Sequence, residues 1–223
     1  MTLVIDADYM LYVTLYHFKK DDLESQCEYF TKRMDEVRKE VEDATGSQYT
    51  ETIIAFSDLT SFRNDIYPDY KKGRKPRPAG YLELKAAIGK RLNVQQWDNF
   101  EADDICGWYA RYEKADVASQ DNDVYNQVPI GYDIKHGELH INTPNEMDVA
   151  MRIKAIDGDR SDKIKGLPKQ YRDKMKEMLT MVPHCGSDLW KMIDDREVML
   201  QYNTNLELVD INLLHEGREI TWS

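Results

Sequence analysis

Two spacings of apolar residues organise the chain. Short unbroken runs come first: Thr2-Leu-Val-Ile5, Thr52-Ile-Ile-Ala-Phe56 and Asp116-Val-Ala-Ser119. Runs of this length, rich in β-branched residues, read as buried strands. Val94–Trp97, Pro129–Tyr132 and Glu138–Ile141 read as further short strands, the last two joined by a turn at Gly137. The second spacing is three and four. Phe30, Met34, Val37 and Val41 predict a helix over Cys27–Ala44, which Gly46 ends. Tyr9–Phe18, Tyr81–Leu92, Glu101–Lys114, Asn145–Ile156, Lys169–Val182 and Ser187–Tyr202 read as helices too. On the second of these, Leu82, Ala86 and Leu92 are available to face inward.

Strands alternating with helices predict an α/β fold around a central, mostly parallel twisted sheet. From residue 158 the pattern is mainly helical. The expected organisation is a core over 1–157 and a helical region over 158–223, packed as one unit. In parallel sheets, ligands gather at the carboxyl ends of the strands. Asp6, Asp58, Asp121 and Asp123 each follow a predicted strand.

Composition narrows the classes. Of 223 residues, 41% are hydrophobic and 32% charged, as in a soluble globular chain. No apolar run approaches a membrane span, and the first residues carry no basic stretch of the secretory kind. Cys27, Cys106 and Cys185 form no Cys-x-x-Cys pair, which argues against a disulfide framework or cysteine zinc site and for a reducing cytoplasm. The net charge of −11 argues against a protein that coats phosphates. The distribution qualifies this: Phe62–Arg91 holds nine bases against three acids.

The acids cluster, and clustered carboxylates repel one another unless a cation sits among them. Glu101 and Asp104 share a helical face, as do Asp159 and Asp162. Asp121 and Asp123 point the same way in an extended segment. No His joins any cluster, and oxygen-only ligands favour Mg²⁺ or Mn²⁺. Two such ions about 4 Å apart clamp a phosphodiester for in-line attack. A calcium loop is excluded, because its sixth and twelfth positions would be Asn126 and Tyr132. A single Asp after a strand is more often a turn residue or a helix cap. Recurrence at several strand ends is what points to metal. The basic half comprises Arg63, Lys71, Lys72, Arg74, Lys75 and Arg77, with Tyr67 and Tyr70 available to stack on bases.

In this order the motifs resemble the 5′→3′ exonuclease and flap endonuclease family of PIN-like nucleases, with a length closer to its phage-type members. The matching stretches are Leu3-Val-Ile-Asp-Ala-Asp8, Phe62 to Arg74, Glu101-Ala-Asp-Asp104, Ser119 to Asp123 and Gly158-Asp-Arg-Ser-Asp162. The resemblance implies a PIN-like nuclease fold. It implies one metal group around Asp6, Asp58, Glu101, Asp103 and Asp104, and another around Asp121, Asp123, Asp159 and Asp162. Two or three Mg²⁺ or Mn²⁺ ions would be held. Lys71 and Arg74 would contact the reacting phosphate, and the product would carry a 5′-phosphate. The implied partner is DNA with a 5′ end, nick, gap or flap, with the RNA strand of a hybrid as an alternative. No membrane is implied, and a monomer is the simplest state.

Two departures bear on substrate. Family members carry a glycine-rich helix-hairpin-helix after the last Asp, whereas Gly166-Leu-Pro-Lys-Gln-Tyr171 has Lys169 and Tyr171 at glycine positions. Lys163, Lys165, Lys169 and Arg172 would have to contact duplex through side chains instead. The span from Arg74 to Glu101 holds one plausible helix, too little for a full helical arch. That favours recessed, nicked or blunt 5′ ends as much as flaps. Trp97, Trp108 and Trp190 read as packing residues, and Met175, Met178, Met181, Met192 and Met199 as helix cores. A haloacid-dehalogenase-like phosphatase is the competing enzyme class, from Asp6-Ala-Asp8. It leaves Glu101-Ala-Asp-Asp104 without a role. A scaffold that had lost catalysis should have lost ligands, and all nine acids are present.

Overall fold

The first apolar run is β1 (Thr2–Asp6), followed by α1 (Asp8–His17) and the long α2 (Leu23–Thr45). Asp22 caps α2 by accepting from the Ser25 N–H at 2.8 Å, and Gly46 ends it at φ 69°. Next come β2 (Glu51–Ala55), one turn of helix α3 (Arg63–Ile66), α4 (Tyr81–Gly89) and β3 (Val94–Gln95). The helix α5 (Ala102–Trp108) widens into a π-turn at Tyr109–Glu113 before β4 (Asp116–Ser119). The single turn α6 (Asn122–Tyr125) leads to the hairpin β5 (Ile130–Asp133) and β6 (Glu138–Ile141). Then follow α7 (Pro144–Asp157), the two-residue strands β7 (Gly158–Asp159) and β8 (Ile164–Lys165), α8 (Lys169–Met181), a 3₁₀ segment at Pro183–Met192, and α9 (Arg196–Val209). The structure, a computed structural model, describes residues 1–18 and 22–211, with the backbone alone at 183–187. The Cys185 side chain and the end of the predicted helical region, 212–223, lie outside that description.

The sheet order is β3-β2-β1-β4-β5-β6, parallel except for the antiparallel edge strand β6. The expected α/β fold with a mostly parallel sheet is present. Leu3, Ile5, Ile54 and Ala118 face α1, α2 and α4 through Leu11, Phe30, Val37 and Leu84. Val4, Ile53 and Val117 face the other way, onto Trp97, Ile105 and Cys106. Alternation along buried strands thus supplies a core on each side of the sheet. A third apolar cluster joins α7, α8 and α9 through Ile156, Met175, Leu179, Leu189 and Tyr202. No helix among the described residues is long and apolar enough to cross a membrane.

Some predicted packing differs. Leu82 and Ala86 are exposed, while Tyr81, Leu84 and Ile88 make the buried stripe of α4. The helix predicted over Ser187–Tyr202 is broken at Ile193–Asp195. Asp195 accepts from the N–H groups of Glu197 and Val198 and starts a new helix. Trp97 is fully buried as a packing residue, but Trp190 and Met181 are largely exposed. Gly158 (φ 73°) and Gly166 allow the β7–β8 hairpin to close: a Cβ on Gly158 would lie 2.3 Å from the Gly166 nitrogen.

Candidate active site

The carboxyl ends of β1, β2, β4 and β5 open into one cleft of about 1050 Å³. Its floor is acidic: Asp6, Asp8, Asp58, Glu101, Asp103, Asp121, Asp159 and Asp162 all line it. So do Lys71, Arg74, Lys75 and Arg77 from the loop between α3 and α4. Parallel strands end at one edge, so the sheet brings residues from Asp6 to Asp133 together, and the β7–β8 hairpin adds Asp159 and Asp162.

The acids are not equivalent. Asp6 ends β1 and accepts from the Ser119 hydroxyl at 2.8 Å. Burial, with Asp8 and Asp121 adding repulsion, pushes its carboxyl up to about 7. Asp103, in the first turn of α5, is pushed well above the carboxylate range by burial, Asp6 and Asp121. Asp6, Asp103 and Asp121 are thus mutually repelling carboxylates around one space. Glu101, at the head of α5, is buried too, but Lys71 at 2.7 Å and Arg63 at 3.6 Å outweigh burial and hold it below the usual range. The buried Tyr70 hydroxyl donates to Glu101 at 2.9 Å and to Asp162 at 3.0 Å. Asp162 also pairs with Arg74.

The second acidic group sits between α6 and β7. Asp121 caps α6 by accepting from the Asp123 N–H at 2.9 Å. Asp123 pairs with Lys154 of α7, whose ammonium is also 3.4 Å from Asp159. Asp159 accepts from the N–H and hydroxyl of Ser161 at 2.6 and 2.7 Å. Burial acts against Asp159, yet Ser161 and Lys154 keep it below the usual range. Among the described residues, no three His, Cys, Asp or Glu side chains lie close enough together to enclose an ion in this arrangement. Cations of the chain stand among several of the carboxylates instead.

Three expected roles do not fit. Arg63 cannot contact nucleic acid, since it is 2% exposed. Its guanidinium donates to both Asp104 oxygens at 2.6 and 2.7 Å, and to the Leu208 carbonyl of α9 at 2.8 Å. Asp104 is correspondingly committed: it is buried, does not line the cleft, and also accepts from the Glu101 N–H at 2.9 Å. Tyr70 is no stacking platform, because its ring is buried. Asp58 does line the cleft, yet its oxygens accept from the Asn99 N–H, Thr60 and Gln96 at 2.9 to 3.1 Å. Those bonds outweigh burial and hold its carboxyl below the usual range. Lys72 is exposed beside Asp69, and Lys163, Lys165 and Lys169 are exposed around the β7–β8 hairpin and the start of α8, outside the cleft lining.

Several cleft residues were absent from the predicted site. Asp8 accepts from the Ser57 N–H and the Tyr81 hydroxyl. Lys154 lies one helical turn before Gly158-Asp159, which was the available signal. Outside the cleft lining, the buried Lys85 donates to the Ser57 carbonyl at 2.5 Å. Lys71 holds a left-handed backbone (φ 54°), fixed by its N–H on the Asp162 carbonyl at 3.0 Å. The stretch Lys75–Gly80 crosses the cleft rim without helix, so no helical arch is formed there among the described residues.

Known proteins are similar to this chain in sequence and in fold. The flap endonuclease Xni of Shewanella woodyi is 30% identical over 138 residues, 52% of this chain and 53% of that protein. The enzyme of the same name from Shewanella sp. strain ANA-3 is 25% identical over 194 residues, 73% of each. The chain thus spans about half the length of the first of these relatives. Among solved structures, the T5 D15 protein crystallised with metal ions shares the fold (TM-score 0.67, 16% identity, 96% of this chain and 90% of that one). So does the bacteriophage T5 D15 flap endonuclease in a complex with DNA and metal ions (TM-score 0.68, 14% identity, the same coverage). The family described as the 5′-3′ exonuclease, N-terminal resolvase-like domain, matches residues 1–154, and this chain belongs to it.

Proposed function

We propose that this chain is a divalent-metal-dependent 5′ nuclease that hydrolyses DNA phosphodiesters at 5′ ends, nicks, gaps and flaps, leaving 5′-phosphates. One observation carries the reading. Carboxylates from four strand ends meet a basic loop in a single open cleft. The donor set fits Mg²⁺ or Mn²⁺: it is all oxygen, and Asp6, Asp103 and Asp121 repel one another where a cation would relieve them. Those three, with Glu101 and Asp162, are the first proposed holders, and Asp123 and Asp159 the second. Asp58 and Asp104 support the site through the loop and through Arg63. Divalent ions held there would activate water and stabilise charge on the phosphate and the leaving oxygen.

The chain's own residues do the rest. Arg74 is half exposed and can offer two donors to the reacting phosphate; Lys71 offers a point charge beside Glu101. Lys71 and Lys154 neutralise carboxylates here, and can turn to phosphate oxygens once an ion shares that charge. Water attacks phosphorus, the bond to the 3′ oxygen breaks and that oxygen leaves as a 3′-hydroxyl, and the phosphate stays on the 5′ oxygen of the downstream fragment. The rim at Lys75–Gly80 is short and irregular, which supports ends and nicks beside flaps. Duplex would rest on Lys163, Lys165 and Lys169 of the helical region after 157. The chain would act as a monomer in the cytoplasm.

The test is a ranking of end-labelled duplex, nicked, gapped and 5′-flap DNA, and of an RNA–DNA hybrid, with Mg²⁺, Mn²⁺ or EDTA. Ion-dependent release from DNA 5′ ends is expected. Cleavage confined to the hybrid would move the substrate to RNA, and no cleavage at all would overturn the reading.

A further inference from the structure

One acidic side chain at the cleft is unlike the others. Asp133 ends β5 and is 2% exposed, yet no cation of the active-site loop reaches it. Its carboxylate accepts from the N–H groups of Lys135 and His136 at 2.8 and 3.1 Å and meets His136 Nδ1 at 2.6 Å. The Tyr125 hydroxyl donates to it as well. Burial works against ionisation, but the His136 bonds outweigh it and hold Asp133 below the usual range. An ionised acceptor fixes the tautomer: Nδ1 carries the proton, and Nε2 is the outward nitrogen.

A buried carboxylate with this many donors holds one surface ring still. His136 is 55% exposed, and it lines the same cleft as Lys135 and Tyr125. The turn Ile134–Gly137 thereby presents a rigid imidazole and an ammonium side by side. The other titratable groups nearby are Glu138 on β6, which pairs in register with Asp133, and Tyr125 and Asp121 at the two ends of α6.

The position matters as much as the chemistry. Arg77 of the basic loop donates to the Asp58 carbonyl just past the end of β2, and Lys135 with His136 stands at the β5 end. Between them lie β1 and β4, which carry Asp6 and Asp121. Three strand spacings separate the two basic rims, roughly 14 Å. From the acidic floor to the β5 rim is one or two spacings, roughly 5–10 Å. The second rim therefore meets a backbone phosphate other than the one that reacts.

We propose that Lys135 and His136, held by the buried Asp133, form a second phosphate-binding site on the cleft, gripping the nucleic-acid backbone at a phosphate close to the scissile one. Lys135 supplies a fixed charge. His136 turns its Nε2 edge toward the backbone, its ring oriented by Asp133. This inference rests on the nuclease reading for its ligand, a DNA backbone phosphate.

The experiment is fluorescence anisotropy of a nicked DNA hairpin in EDTA, from low to moderate salt. The variants are His136→Gln, Lys135→Ala and the pair together, with Lys32→Ala on the far helix α2 as the charge control. Both residues are exposed, so these variants should fold, and their melting temperatures should match wild type. The double variant is expected to bind about 10-fold more weakly at low salt. Its slope of log affinity against log salt should be shallower by about 1 to 2, one contact per phosphate. Lys32→Ala should leave both unchanged. Asp133→Asn should weaken binding in the same direction, since the ring loses its anchor. An unchanged salt slope in a folded double variant would overturn the second site while leaving the nuclease reading intact. Failure of the wild-type protein to bind DNA at all would overturn both.

Discussion

Replacing Asp6 by Asn is the perturbation whose size follows most directly from the cleft. Burial, Asp8 and Asp121 raise the Asp6 carboxyl from 3.8 to about 7. Between those values the folded chain keeps a proton that the unfolded chain has lost. Stability is therefore undiminished below about 4, falls as pH rises to about 7, and stays reduced above it. A rise of about three pH units corresponds to about 4 kcal/mol. Asp6 is only partly buried as a residue and keeps contact with cleft water, so we take roughly half, about 2 kcal/mol. Asn keeps an acceptor for Ser119 and removes the charge. In a chain of this size each kcal/mol moves Tm by about 2–4 °C. Metal-free Asp6→Asn should thus melt about 4–8 °C above wild type at pH 8 and close to it below about pH 4. Mg²⁺ should raise the wild-type Tm at pH 8 and move the variant less. Scanning calorimetry over this range, in EDTA and in Mg²⁺, reads all of it. A variant that melts with wild type at pH 8 would refute the claim that these carboxylates repel one another in the folded chain.

Other consequences are equally specific. Lys71→Ala should lower kcat about 100-fold or more while changing DNA affinity only a few-fold, read by single-turnover cleavage beside anisotropy; an equal loss in both would make it a tether. Arg63→Met leaves Asp104 buried without its cation and Glu101 with Lys71 alone, so thermal unfolding should show a loss of about 3–5 kcal/mol, and unchanged stability would contradict the buried network. Gly158→Ala forces a Cβ onto the Gly166 backbone at a left-handed φ, and should cost about 2–4 kcal/mol with loss of cleavage through displaced Asp159. A wild-type Tm for this variant would mean that the hairpin opens freely.

The sheet and its acidic edge were legible in the sequence because both are local signals. An apolar run ending in Asp states a strand and a strand-end carboxylate at once. The roles of individual charges were not legible, because a letter does not say what its side chain meets. Arg63 looks the same in sequence as Arg74, yet one is buried against Asp104 and the other stands in the cleft. Tyr70 reads as a surface aromatic of a basic loop, and tertiary packing turns it inward to bridge Glu101 and Asp162. Lys154 and His136 reach the site from elements whose own patterns concern only their packing. The missed break in the last helix has a local cause: Asp194-Asp195 holds an N-cap that apolar spacing alone passes over.

The central claim is that cleft carboxylates hold the ions that drive hydrolysis from a 5′ end. Asp121 caps α6, and Asn caps a helix equally well, so Asp121→Asn removes a proposed ligand without removing a structural bond. The decisive measurement is the product ladder from 3′-labelled nicked DNA with Mg²⁺, wild type beside Asp121→Asn at matched melting temperature. The account predicts stepwise shortening from the 5′ end by wild type and none by the variant. Equal ladders from both proteins would contradict it.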